Sequence, residues 1–207
     1  MNKFIEPSPI EFRNGCLAYE KNEQRDSMYK VATFLMKEYW GHPADMADAL
    51  GVLLSTWNNA FYRYGPFSYE QLQSCIELNW GRIDIFRTKK INEYSQNNDG
   101  SITALFDAFL HALRISSGKN EGRTSPVGTA KALHLLGPTF FPIWDDKIAK
   151  AYGCFYGKDP CGSYIRFIRI SVEMSQKLAP HAHRSDRSIL KLIDEYNYAK
   201  YTKKWIS

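Results

Sequence analysis

The sequence predicts an all-α fold, a compact helical domain spanning residues 1–207, and three observations carry that reading. Apolar residues recur at three- and four-residue spacing through most of the chain, the signature of helices with one buried face. No stretch alternates apolar and polar residues as a half-buried strand does, and no internal repeat marks a solenoid. Glycine and proline punctuate the periodic runs without gathering into a linker, so nothing divides the 207 residues.

In chain order, residues 1–24 hold Pro7, Pro9 and Asn14-Gly15 among mixed charge and read as an irregular N-terminal arm. Asp26 to Trp40 fits a helix ended by Gly41-His42-Pro43. Ala44 to Phe61 places Met46, Ala49, Leu50, Leu53, Leu54, Trp57 and Phe61 on a broad face, which predicts one long central core helix closed by Gly65-Pro66. Ser68-Tyr69-Glu70-Gln71 has the form of a capping box and starts a helix that Trp80-Gly81 ends, followed by a short basic helix to Ile91. After the polar run Gln96 to Gly100, Ser101 caps a periodic helix through Leu113, which ends in the basic loop Ser116 to Arg123. Ser163 to Leu178 has β-branched content but exceeds the usual strand length, so it is read as helix. A last helix carries Ile189, Ile193 and Tyr196 toward Lys200.

Residues 123–153 form the segment around which the rest is organised, a hairpin followed by a second helix. Ser125-Pro126-Val127-Gly128 predicts a turn just before Thr129, because proline lacks the amide donor that a helix interior needs. From Thr129 the residues Ala132, Leu133, Leu135 and Leu136 give a short helix stopped by Gly137-Pro138. An aromatic bridge, Phe140-Phe141-Pro142-Ile143-Trp144, leads to Asp145-Asp146, where acid opens a new helix at the end its dipole favours. Asp146 is the expected cap, which leaves Asp145 at a helix mouth behind an apolar wall. His134 is expected as a packed core histidine or a phosphate contact rather than a general base.

Composition narrows the class. With 44% hydrophobic and 14% aromatic residues the chain has too much to bury for a disordered protein. No run approaches the roughly 18 apolar residues of a membrane span and no signal region opens the chain, so a cytoplasmic protein without a membrane partner is expected, and a monomer. The net charge of +5 suits a polyanionic partner without demanding one. Cys16, Cys75, Cys154 and Cys161 are too spread for a disulfide framework, and His181-Ala182-His183 lacks further ligands at metal spacing, so neither metal nor cofactor is expected.

The segment Pro126-Val127-Gly128, an Ala-rich helix, then Phe-Pro-x-x-Asp ending at Asp145 with Ile148 and Gly153 downstream, resembles the helix-hairpin-helix DNA glycosylases, the 8-oxoguanine glycosylase-like members among them. Leu53-Leu54-Ser55-Thr56-Trp57-Asn58-Asn59 is similar to the early family helix whose polar residues fill the gap left by an extruded base. The resemblance covers residues 44–155 and implies a substrate cleft between helical lobes and a double-stranded DNA partner carrying a damaged or modified base. It implies Asp145 as catalytic carboxylate, Asn58 and Asn59 as the gap-filling pair, and the backbone of Val127, Gly128 and Thr129 together with Arg123 as the DNA grip. Trp57, Trp144 and Phe141 are the implied base pocket. Bifunctional members carry a lysine just after the hairpin glycine; strict alignment puts Ala130 there and Lys131 one position later, which leaves strand cleavage open. Members with an iron–sulfur cluster hold it with four closely spaced cysteines, and Cys154 and Cys161 do not make such a set.

These residue types suit the chemistry. Cleaving an N-glycosidic bond develops positive charge on the sugar, which a nearby carboxylate stabilises, and a desolvated amine can attack the same carbon instead. Oxidised, alkylated and phage-type modified bases all remain compatible. Two other readings stay open: a non-catalytic helix-hairpin-helix DNA-binding module, and a helical protein-interaction protein.

Overall fold

The computed structural model describes residues 6–207, and among them every regular element is helical. The helices are α1 (Pro9–Asn22), α2 (Ser27–Glu38), α3 (Pro43–Trp57), α4 (Asn59–Tyr62), α5 (Tyr69–Thr88), α6 (Asp99–Ala112), α7 (Pro126–Leu136), α8 (Asp146–Ala151), α9 (Pro160–Leu178) and α10 (Ile189–Asn197). A π turn, Tyr198–Thr202, continues α10.

Several boundaries differ from the sequence reading for one shared reason. Ser8-Pro9, Ser125-Pro126 and Asp159-Pro160 each start a helix: the Ser or Asp side chain accepts the amide of the residue three positions on, and proline occupies the first turn. There its missing N–H costs nothing and its fixed φ is already helical. The expected irregular arm over residues 1–24 is therefore corrected: Pro9–Asn22 is helix α1, and residues 1–5 lie outside the described residues. Likewise α7 begins at Pro126 rather than Thr129. Helix α6, without a proline or a side-chain cap, begins at Asp99 rather than at a Ser101 cap.

Two further corrections concern continuity. The long helix expected over 44–61 breaks at Asn58 into α3 and the single turn α4. Conversely, α5 runs unbroken through Gly81, whose position is exposed and free of neighbours, so the glycine weakens the helix without ending it.

The helix at the centre is α7, not α3. Every residue from Gly128 to Leu136 is buried, and α7 touches α2, α3, α5, α6 and α9. Around it, α3 packs on α2 and α5, α6 on α5 and α9, and α10 on α1 and α9. Phe86, Phe140 and Phe141 close one side in a cluster with ring centroids 4.6–5.1 Å apart. Phe106, Trp144, Tyr164 and Phe167 close another. In consequence the lysine on α7 is carried into the interior and must find its partners there.

Helix α1 belongs to this core, since Phe12 and Cys16 are fully buried and the Phe12 ring lies 6.1 Å from that of Tyr196 on α10. Phe12→Ala is expected to lower unfolding free energy by about 3–5 kcal/mol in urea titrations. A loss below about 1 kcal/mol would mean that α1 is a peripheral arm after all.

Candidate active site

Helix α3 stops where α7 begins, and the two ends are tied together. Asn58 at the C-terminal end of α3 donates from Nδ2 to Ser125 Oγ at 2.9 Å, the same hydroxyl that caps α7 by accepting the Gly128 amide at 3.0 Å. One turn further along α7, Lys131 points at the carbonyl released by the break. Its Nζ donates to Trp57 O at 2.8 Å and lies 5.0 Å from the Trp57 ring centroid.

Beside it the aromatic bridge delivers Asp145. The peptide carbonyls of this bridge are held by buried donors: Tyr164 Oη donates to Pro142 O at 2.8 Å and His134 to Phe141 O at 2.7 Å. Because a carbonyl only accepts, His134 carries its proton on Nδ1 and accepts from Tyr29 Oη through Nε2 at 3.1 Å. Burial pushes the imidazole down to about 4. His134 is thus a core histidine that fixes the bridge, not a phosphate contact.

Asp145, rather than the expected Asp146, caps α8. Its Oδ1 accepts the Ile148 amide at 2.8 Å and its Oδ2 accepts the Thr202 hydroxyl. Asp146 instead pairs with Lys150 at 2.7 Å on the exposed side.

Asp145 and Lys131 line one cavity of about 240 Å³, with Trp57, Trp144 and Ile148. The opposite wall comes from α1, the start of α2, α10 and the π turn after it: Tyr19, Asp26, Tyr29, Lys191, Asp194 and Tyr198. Ser27 at the rim is exposed, so the cavity reaches the surface. Its volume lies below the range of about 300–1,000 Å³ typical of sites for drug-sized ligands.

Electrostatics sets this cavity apart from the rest of the interior. Burial pushes the Lys131 amine down to about 8, while Asp194 and then Asp145 pull it back up. Lys191, also buried, sits 4.5 Å over both the Tyr19 and the Tyr29 rings, with Asp194 at 3.5 Å, Asp26 at 3.6 Å and Glu195 at 3.8 Å. Arg187 joins this group through Asp26 and, at 3.3 Å, Glu195. Burial raises Asp194, and raises Glu195 to about 7, with the lysine and arginine opposing the effect on Glu195. Asp194 Oδ1 accepts no hydrogen bond among the described residues, so it is left available to whatever enters the cavity.

Some expected site residues lie elsewhere. Phe141 is buried against Phe86, Phe140 and Gly137 and does not reach the cavity. Trp144 lines the wall, but Phe167 stacks on it at 5.7 Å and Tyr156 and Tyr164 flank it, so its ring is a packing element. Asn59 is exposed outside the cavity and Asn58 is engaged with Ser125. Thr129 is fully buried, its amide and hydroxyl both donating to Ser125 O. Val127 has the first-turn amide with no protein acceptor among the described residues, and Arg123 is exposed with its guanidinium on Asn120. The connection leading into α7, residues 113–125, is a long loop in which Ile115 exchanges backbone bonds with Gly122 and Arg123.

The α10 wall escaped the sequence reading. Lys191, Asp194 and Glu195 stand at three- and four-residue spacing on a helix otherwise read by its apolar face, and such charges are usually solvated. All three are buried.

Because the folded value of Lys131 lies below its ordinary 10.5, the buried charge opposes folding below about pH 8 and that cost is relieved as pH rises toward 10.5. Lysine-selective NMR should find one amine titrating near 8 that vanishes in Lys131→Met, and this variant should be more stable than the parent at pH 7, with the advantage shrinking as pH rises from about 8 to 10.5. Titration of every lysine above 10 would contradict the buried placement. No protein-family model matches the chain, and neither a curated protein nor a solved structure matches it.

Proposed function

We propose that this protein is a DNA glycosylase, which extrudes a damaged or modified base from double-stranded DNA and cleaves its N-glycosidic bond. The observation that carries this reading is the meeting of Asp145 and the depressed amine of Lys131 in one cavity of single-base size, with Trp57 on its wall.

The chemistry follows from that pair. As the bond from C1′ to the base lengthens, positive charge grows on the sugar, and the Asp145 carboxylate stabilises it from a position fixed before reaction begins. In the hydrolytic route water adds to C1′, the base leaves with the bonding electrons and takes up a proton, and an abasic sugar remains. In the amine route neutral Lys131 Nζ adds to C1′ instead, giving after ring opening an imine from which strand cleavage can proceed. With the amine near 8, an appreciable neutral fraction is present at physiological pH.

Recognition would divide between backbone and base. The Val127 amide and Arg123 supply a donor and a charge for phosphate without reading sequence. Asn59, exposed at the break between α3 and α4, and Asn58, on release from Ser125, would enter the gap left by the base, which costs a few kcal/mol to extrude. Asp194, a buried acceptor with a free oxygen, suits a base edge that offers N–H donors.

The test is a panel of duplexes with single oxidised, alkylated or phage-type modified bases, assayed for abasic sites with and without alkali. At least one should lose its base, and Asp145→Asn should lower that rate by about 100-fold or more, the loss typical of removing a fixed electrostatic stabiliser. Duplex binding should persist in the variant and weaken with salt. Salt-sensitive binding without base release from any duplex would favour the non-catalytic DNA-binding module, and no binding at all would defeat both.

A further inference from the structure

Thr202 holds the carboxylate that the proposed reaction depends on, and it does so from a distant part of the chain. Asp145 offers two oxygens. Oδ1 is committed to the Ile148 amide as an ordinary helix cap. A cap needs only that one bond, yet Oδ2 accepts a second from the Thr202 hydroxyl. The backbone of Thr202 is gripped by the same helix, because Lys147 Nζ donates to Thr202 O at 2.9 Å. Residues 145 and 147 therefore clasp Thr202 by both side chain and carbonyl.

The element carrying Thr202 is unusual. Tyr198–Thr202 is a π turn closed by Lys203 N donating to Tyr198 O at 2.8 Å, a rare geometry found disproportionately at functional sites. Trp205 N donates to Ala199 O at 2.8 Å and locks the turn from the other side. Tyr201 packs edge-on against Tyr152 of the α8 cap, with centroids 5.6 Å apart. Tyr198, at the start of the turn, lines the cavity, and Thr202, four residues on, meets Asp145.

We infer that Thr202 is a positioning residue for Asp145: with the Ile148 amide it fixes the carboxylate in one rotamer, so that the charge is aimed at the cavity before a nucleoside arrives. This rests on the reading of Asp145 as the catalytic carboxylate. Without the hydroxyl, Oδ2 loses its only donor among the described residues, and the single bond from the Ile148 amide no longer holds the side chain in one χ1 rotamer. Thr202→Val removes the hydroxyl and keeps the branched shape, and Thr202→Ser keeps the hydroxyl.

Two measurements test it, one independent of activity. Side-chain scalar couplings should report a single χ1 rotamer for Asp145 in the parent and in Thr202→Ser, and rotamer averaging in Thr202→Val. Averaging already in the parent, or a single rotamer kept in Thr202→Val, would overturn the positioning role whatever the protein catalyses. In single-turnover excision at saturating enzyme, Thr202→Val should be slowed about tenfold or more, the scale of one hydrogen bond to a charged group, with duplex affinity unchanged. Thr202→Ser should recover to within about threefold, and Thr202→Val should add little to Asp145→Asn, since both act through one carboxylate. Equal loss in the Val and Ser variants would make the residue a packing element and overturn the inference. If the parent excises nothing while the couplings behave as expected, the glycosylase reading fails and Thr202 is left as an anchor of Asp145 without a catalytic part.

Discussion

A lysine carried into the core on a fully buried helix must be satisfied there, and the arrangement around Lys131 answers that demand. The carbonyl that accepts its amine exists only because α3 breaks at Asn58: a continued helix would have used Trp57 O internally. The same break turns Asn58 toward Ser125, which caps the helix that carries the lysine. The end of one helix, the start of another and the placement of an amine are thus one connected structure. A buried charge at this depth is costly, which is why the amine is depressed, with Asp194 and Asp145 opposing the shift.

That wall has its own logic. Lys191 and Arg187 face Asp26, Asp194 and Glu195 beside the Tyr19 and Tyr29 rings, and the desolvation of buried charges offsets much of what such pairing gains. Its value lies in what it orders. It joins α10 to the segment between α1 and α2, and so defines the far side of a cavity whose near side is made by α7 and α8. The wall bears a carboxylate, Asp194, that the protein itself leaves incompletely bonded. Polar groups held partly unsatisfied in a cavity are a feature of sites, and they are uncommon in cores.

How much of this was legible in the sequence depended on which physical signal each part used. Helices with a wide apolar face, such as those carrying Leu53 and Leu54 or Phe106 and Phe109, announced themselves by period. The pairing of Asp145 with a helix mouth was legible too, because acid and apolar bridge occur together there. Prolines misled, since Pro9 and Pro126 read as breaks although each follows a capping serine and opens a helix. An aromatic residue near an aspartate can serve core or site, and for Phe141 only the packing of Phe86 and Gly137 against it decides for the core over the base pocket. The buried charges of α10, and Thr202 beyond it, depend on contacts with residues far away in the chain, and no local pattern encodes them.

The most direct test of the central claim is a crystal structure of the protein bound to a duplex carrying a single stable abasic-site analogue. The account predicts the analogue's sugar turned out of the helix into the cavity, with its C1′ position between Lys131 Nζ and the Asp145 carboxylate and the Asn58-Asn59 corner in the vacated stack. A duplex seated on another face, or a sugar that leaves Lys131 and Asp145 untouched, would contradict it.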